Sequence, residues 1–133
     1  MASLNSTLEG WFDMNHQEIT KKIISWVEEI GNNKNFWNNQ KDLGKTNIRS
    51  TAAAILNAEC YEEARLFIEY KTSRKDSGWD ANFKDQKKFG EYIIKKMDEI
   101  YEMCQKNDKE ALKYIAKFFG YLYWKIYGIV NAG

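Results

Sequence analysis

A chain of 133 residues, 44% apolar and 15% aromatic, fits one packed domain and is too rich in apolar side chains for disorder. With 20 basic and 19 acidic residues the formal charge is +1, so no global field draws it to nucleic acid or membrane and any basic surface must be local. Proline is absent, and long Lys/Glu-rich segments predict an all-α fold: one helical domain over 1–133, a compact bundle of about five or six helices.

Residues 1–14 read as a loosely packed arm with Leu8, Trp11, Phe12 and Met14 available for burial. Asn15-His16-Gln17-Glu18 has the form of a capping box, and Ile19, Ile23, Trp26, Val27 and Ile30 make one helical stripe that stops at Gly31. Phe36-Trp37 predicts a short turn anchored by its aromatics. A helix from Thr46 to about Asn57 places Ile48, Ala52, Ile55 and Leu56 on one side. A second helical stretch carries Tyr61, Ala64, Phe67 and Ile68 and fades near Ser73; the two are either separate or continuous.

Lys71 to Asn82 is polar and contains Ser77-Gly78, which reads as a loop. From Lys84 a long helix sets Phe89, Ile93, Met97, Ile100 and Cys104 at helical spacing. Asn107-Asp108-Lys109-Glu110 is a second capping box, opening a last helix with Leu112, Ile115, Phe119, Leu122 and Ile126 in register to Gly128. The short link predicts a C-terminal antiparallel helix pair. No strand pattern is apparent.

Charge is segmented: about −3 over residues 1–33, +3 over 34–58, −3 over 59–70, +4 over 71–96, and zero beyond. Ordinary helix surface explains most lysines, less so the few arginines. Cys60 and Cys104 are too few and too distant for a metal motif and read as small hydrophobes in a reducing, cytoplasmic setting. Neither a secretory leader nor a membrane span is apparent.

Catalytic chemistry is poorly supplied. The single histidine, His16, falls in a helix's first turn and reads as solvent-facing. The adjacent pairs Glu28-Glu29, Glu62-Glu63 and Asp98-Glu99 diverge by about 100° around their helices. Gly44-Lys45-Thr46 matches the tail of a phosphate-binding P-loop, but Asn39 stands at the first glycine position and no strand precedes it. The reading is a non-enzyme with neither metal nor cofactor.

What remains is phosphate recognition. With Thr46 as N-cap, Arg49 falls at N3, where an anion would be held by free amides, the Thr46 hydroxyl and Arg49, with Lys41 and Lys45 close in sequence. Pairing of Arg49 with Asp42 is the equally weighted alternative. Lys71, Arg74 and Lys75 form a second cationic segment at a helix end, where cations are favoured anyway. Tyr121, Tyr123, Trp124 and Tyr127 have the chemistry to stack on bases, but their spacing fits core plus a protein-interaction face better.

Lys45-Thr46-Asn47-Ile48-Arg49, the segment Arg65 to Arg74 and the tail Phe118-Phe119-Gly120-Tyr121-Leu122-Tyr123-Trp124-Lys125-Ile126-Tyr127-Gly128 together resemble one family. It is the small all-helical subunit of type III (Csm-type) CRISPR–Cas interference complexes, and the likeness covers about residues 40–128. The resemblance implies a non-catalytic cytoplasmic subunit of an antiviral ribonucleoprotein. Its partners would be guide RNA and target RNA, backbone and other subunits, and further copies of itself in an inner filament, with no membrane. Lys41, Lys45, Thr46, Arg49, Lys71, Arg74 and Lys75 would meet RNA phosphates while base pairing supplies specificity. The alternative is a helical protein–protein adaptor or phage-type regulatory protein that never touches RNA.

Overall fold

The computed structural model describes residues 14–40 and 43–132. Among the described residues six helices run in the order α1 (His16–Gly31), α2 (Lys34–Asn38), α3 (Lys45–Leu56), α4 (Tyr61–Ser73), α5 (Phe89–Met103) and α6 (Asp108–Ala132). Two short strands, β1 (Asn82–Lys84) and β2 (Lys87–Lys88), separate α4 from α5. The fold is therefore all-α apart from this one antiparallel hairpin.

α1 starts where expected. Asn15 accepts from the Glu18 amide and Glu18 returns the bond to the Asn15 amide, each at 2.9 Å. Its whole apolar stripe is buried. Gly31 does not act as a left-handed stop, because the C-cap is Asn32 at φ −71°. It is small because the Lys125 stem crosses it: a Cβ there would sit 2.9 Å from Lys125 Cε.

α6 organises the bundle, touching all five other helices and packing most extensively on α3 and α1. Ala111, Ile115, Phe118, Phe119, Leu122 and Ile126 are buried along it. Each large side chain of this kind contributes about 1.5–3 kcal/mol on leaving water. The helix continues through Gly128, past the expected end. Asn107 caps it by accepting from the Glu110 amide at 2.9 Å. The turn from α5 passes through Gln105 and Lys106 at φ 56° and 59°.

α3 and α4 are separate helices, broken at Asn57–Cys60, with Cys60 extended at φ −157°. Ile48 and Ile55 of α3 are fully buried together with Thr51, but Leu56 is exposed. Ile55 already holds the inward position of that turn, about 100° from Leu56.

The segment 71–88 departs most from the sequence reading. Trp79 is completely buried within a stretch that reads as polar loop, and its ring meets Phe89 and Phe119. The hairpin replaces the expected start of the long helix at Lys84. Its two-residue turn, Asp85-Gln86, has φ 53° and 62°, the mirror-image backbone that strand twist favours. Phe83 pins the hairpin against Phe36, Phe89 and Tyr92. α5 then begins at Phe89, so close to α4 that a Cβ on Gly90 would lie 2.7 Å from Thr72 Cβ.

Candidate nucleic-acid interface

The N-cap of α3 is Gly44, at φ 41°. Thr46 is thus the second helical residue rather than the cap, and Arg49 falls at the fifth position, beyond the first turn where free amides gather. No acidic residue occupies that first turn. Lys41 and Asp42 lie outside the described residues, and for Lys45 and Thr46 the description stops at the helical backbone.

Asn47, the third residue of α3, joins the two basic segments. Its Oδ1 accepts from Lys71 Nζ at 3.3 Å and from Trp79 Nε1 at 3.2 Å. Its carbonyl accepts from the Thr51 hydroxyl at 2.8 Å and the Ser50 hydroxyl at 3.1 Å. Lys71 is half-buried, with Nζ 5.0 Å from the Phe67 ring centre and 5.7 Å from that of Trp79. Burial, and secondarily the charge of Arg74, lower the pKa of its ammonium below the ordinary lysine value. Arg74 is the C-cap of α4 and lies 5.8 Å over the Tyr70 ring, exposed like its neighbour Lys75.

Arg49 belongs to a different side of α3. It follows Asn47 by two residues, about 200° around the helix, and its guanidinium lies 5.7 Å over the Tyr123 ring of α6. Among the described residues no carboxylate lies within ion-pair distance of Arg49, Lys71, Arg74 or Lys75. The acids that do pair engage Arg65, Lys84, Lys96, Lys106 and Lys125. The loop carboxylate of Asp80 accepts from the backbone amides of Asp76 and Gly78. The α3 start is therefore flanked by two cationic surfaces, one led by Lys71 to Lys75 and one by Arg49.

The aromatic tail is divided. Leu122 and Ile126 are buried, Tyr121 and Tyr123 half-buried, and Trp124 and Tyr127 exposed. Tyr121, Tyr123 and Trp124 join Arg49, Lys117 and the backbone of Gly120 around a cleft of about 610 Å³ between α3 and α6.

The most strongly coupled charges lie elsewhere and hold helices together. Arg65 binds Asp98 through Nε at 3.0 Å and Nη2 at 3.2 Å, and Glu69 through Nη1 at 2.5 Å. The Tyr61 hydroxyl donates to the same Asp98 carboxylate, and burial, followed by that bond, raises the phenol pKa well above its ordinary value. Arg65 thus ties α4 to α5. His16 is exposed, yet its ring stacks on Tyr114 of α6 at 5.8 Å and its Nδ1 bonds the Tyr114 hydroxyl. Cys60 and Cys104 are half-buried free thiols, with burial pushing Cys104 up to about 12. Among the described residues no cluster of His, Cys, Asp and Glu has metal-ligating geometry, and no helix is long and apolar enough to cross a membrane.

Asn47 and Trp79 were missed as site residues when the sequence was read for charge alone. One signal was present: Trp79 is the only large aromatic in the polar run 71–82. Neither a protein-family model, nor a curated protein, nor a solved structure matches the chain.

Proposed function

We propose that the chain is the non-catalytic small subunit of a type III, RNA-guided CRISPR interference complex, contacting guide and target RNA through their phosphates. The observation that carries this reading is the junction at Asn47. Lys71 of the second basic segment docks there on the first, and Arg49, Lys71, Arg74 and Lys75, on two sides of α3, have no carboxylate partner among the described residues. Unneutralised cations of this kind release counterions from a phosphate backbone on binding, which gives affinity without sequence preference. The motif likeness of Lys45 to Arg49 and of the C-terminal tail adds the type of complex and its partners: backbone subunits and further copies of the chain. Localisation in the cytoplasm is part of the same reading.

The test is RNA retention by the reconstituted complex across a salt series. Lys45→Ala combined with Arg49→Ala lowers retention and flattens the dependence of log affinity on log salt by about 1–2 units. A slope equal to that of the unmodified complex overturns the assigned surface.

A second reading, a protein–protein adaptor, draws on exposed apolar side chains: Trp124 is 70% exposed, and Leu66 and Tyr70 on α4 are 65% and 56% exposed. Co-purification with a protein partner, insensitive to ribonuclease and free of guide RNA, would favour it.

A further inference from the structure

Among the described residues, three of the surface clefts differ in charge. The largest, about 650 Å³ between α4, the hairpin and α5, alternates lysines with Glu69, Glu91 and Asp98, and its Arg65 is already committed to two carboxylates. A smaller one, about 320 Å³ between α1 and α6, is crossed by the Lys125–Glu28 ion pair at 2.6 Å. The cleft between α3 and α6, about 610 Å³, is lined among the described residues by two cations and three aromatic rings, with no carboxylate.

Its parts are held in place. Arg49 rests over the Tyr123 ring, and Lys117 has its ammonium 5.5 Å over the Tyr114 ring, one turn earlier on α6. Tyr121 and Trp124 stand 5.6 Å apart, centre to centre, tilted by 45°. Tyr121 is half-buried while Trp124 is largely exposed, so the pair presents ring surface to solvent at the cleft wall. The two smallest lining residues, Ala52 and Gly120, come one from each helix. Gly120 is the more telling. A glycine inside a helix costs about 1 kcal/mol relative to alanine. Among the described residues no neighbour requires it, since a Cβ would meet nothing within 4 Å. Its missing side chain leaves open space at the cleft lining.

We propose that this cleft takes one unpaired nucleotide of a single-stranded RNA, the base stacked on the Trp124–Tyr121 wall and the adjoining phosphate held by Arg49 and Lys117. The inference rests on the RNA-binding reading and deepens it, from a backbone contact to a base-stacking subsite. Charge selects the occupant: two cations without a carboxylate favour a phosphate, and flat exposed rings favour a base of any identity.

The experiment compares octauridylate with an abasic RNA octamer of equal length and charge, by fluorescence anisotropy over a salt series, with polyglutamate as competitor. The intact chain is expected to bind octauridylate about tenfold more tightly than the abasic strand, the size of one stacked base. Gly120→Leu puts a branched side chain into the cleft without removing a ring or a cation, and Trp124→Leu removes the exposed ring. Each is expected to erase the preference while abasic binding and its salt slope stay unchanged. Circular dichroism checks folding; should Gly120→Leu fail to fold, the exposed Trp124→Leu carries the test. Equal binding of both strands by the intact chain, or a preference that survives Trp124→Leu, overturns the subsite and leaves the backbone reading standing. Failure of the chain to bind either strand overturns the subsite, while the backbone reading stands or falls on retention by the reconstituted complex. Displacement of octauridylate by polyglutamate from the intact chain but not from Gly120→Leu would assign the cleft to an acidic peptide instead.

Discussion

Lys71 on α4 reaches Asn47 on α3 and shares its side-chain oxygen with the indole of Trp79. One amide thereby satisfies the indole of a fully buried ring and orients the half-buried ammonium beside it. Asn47→Ala is expected to lower stability by about 1–3 kcal/mol, because the Trp79 nitrogen loses its acceptor without gaining water. The shift of a urea unfolding midpoint measures it.

Asn47→Asp separates folding from function at the same position. The acceptor is kept, and a carboxylate at the third residue of a helix adds about 0.3–1 kcal/mol through the helix dipole. It also neutralises Lys71. The unfolding midpoint should therefore hold or rise while RNA retention by the assembled complex falls. A complex that keeps full retention would remove Lys71 from the RNA surface.

Three glycines inside helices should respond differently to alanine. Gly90→Ala drives a methyl into Thr72 and should cost about 1–3 kcal/mol, with partial recovery in the Thr72→Ala background. Gly31→Ala displaces only the flexible Lys125 stem and should cost less. Gly120→Ala meets nothing and should stabilise by about 0.5–1 kcal/mol through helix propensity. Thermal midpoints of the three single variants establish the order.

Alkaline stability should report on Tyr61. Its folded-state pKa is raised, first by burial and then by its bond to Asp98, so its contribution is complete below the ordinary phenol value near 10. Above that pH the unfolded phenol ionises while the folded one keeps its proton. The folded state then binds more protons, and stability falls as pH rises, by up to about 1.4 kcal/mol per pH unit from this group. Tyr61→Phe should flatten that decline in urea midpoints taken between about pH 8 and 11. Some slope will persist, because Tyr92 is shifted in the same direction by burial and by Glu29.

Much of the helical framework was legible because its signal is periodic. The stripe from Ile19 to Ile30 and that from Leu112 to Ile126 repeat at helical spacing, and every residue in both is buried. Asn15 and Asn107 mark helix starts by chemistry that is local to four residues. The failures have two causes: a packing partner far away in sequence, and a turn built without its usual residue. Trp79 sits in a polar run and is buried by Phe89 and Phe119, which no local pattern announces. The hairpin turn uses Asp85-Gln86, without the glycine that usually marks positive φ.

The candidate site was read as a row of charges near a helix start. With Gly44 as the cap in place of Thr46 that start lies two residues earlier, which takes Arg49 from the third helical position to the fifth, away from the free amides and towards Tyr123. The convergence of Lys71 upon Asn47 depends on how α3 packs against α6 and α4 against α5 and α6, and charge counting holds no information on that.

The placement of α6 bears on how the chain is made. α1 and α3 bury their apolar sides mainly against a helix that spans Asp108–Ala132, at the far end of the described residues. During synthesis the early helices emerge with Trp26, Ile48 and Ile55 uncovered, and their principal partner is still within the ribosome. Folding must wait for these late-made, long-range contacts, so a message truncated before codon 108 yields a nascent product for chaperones and proteases rather than a smaller bundle.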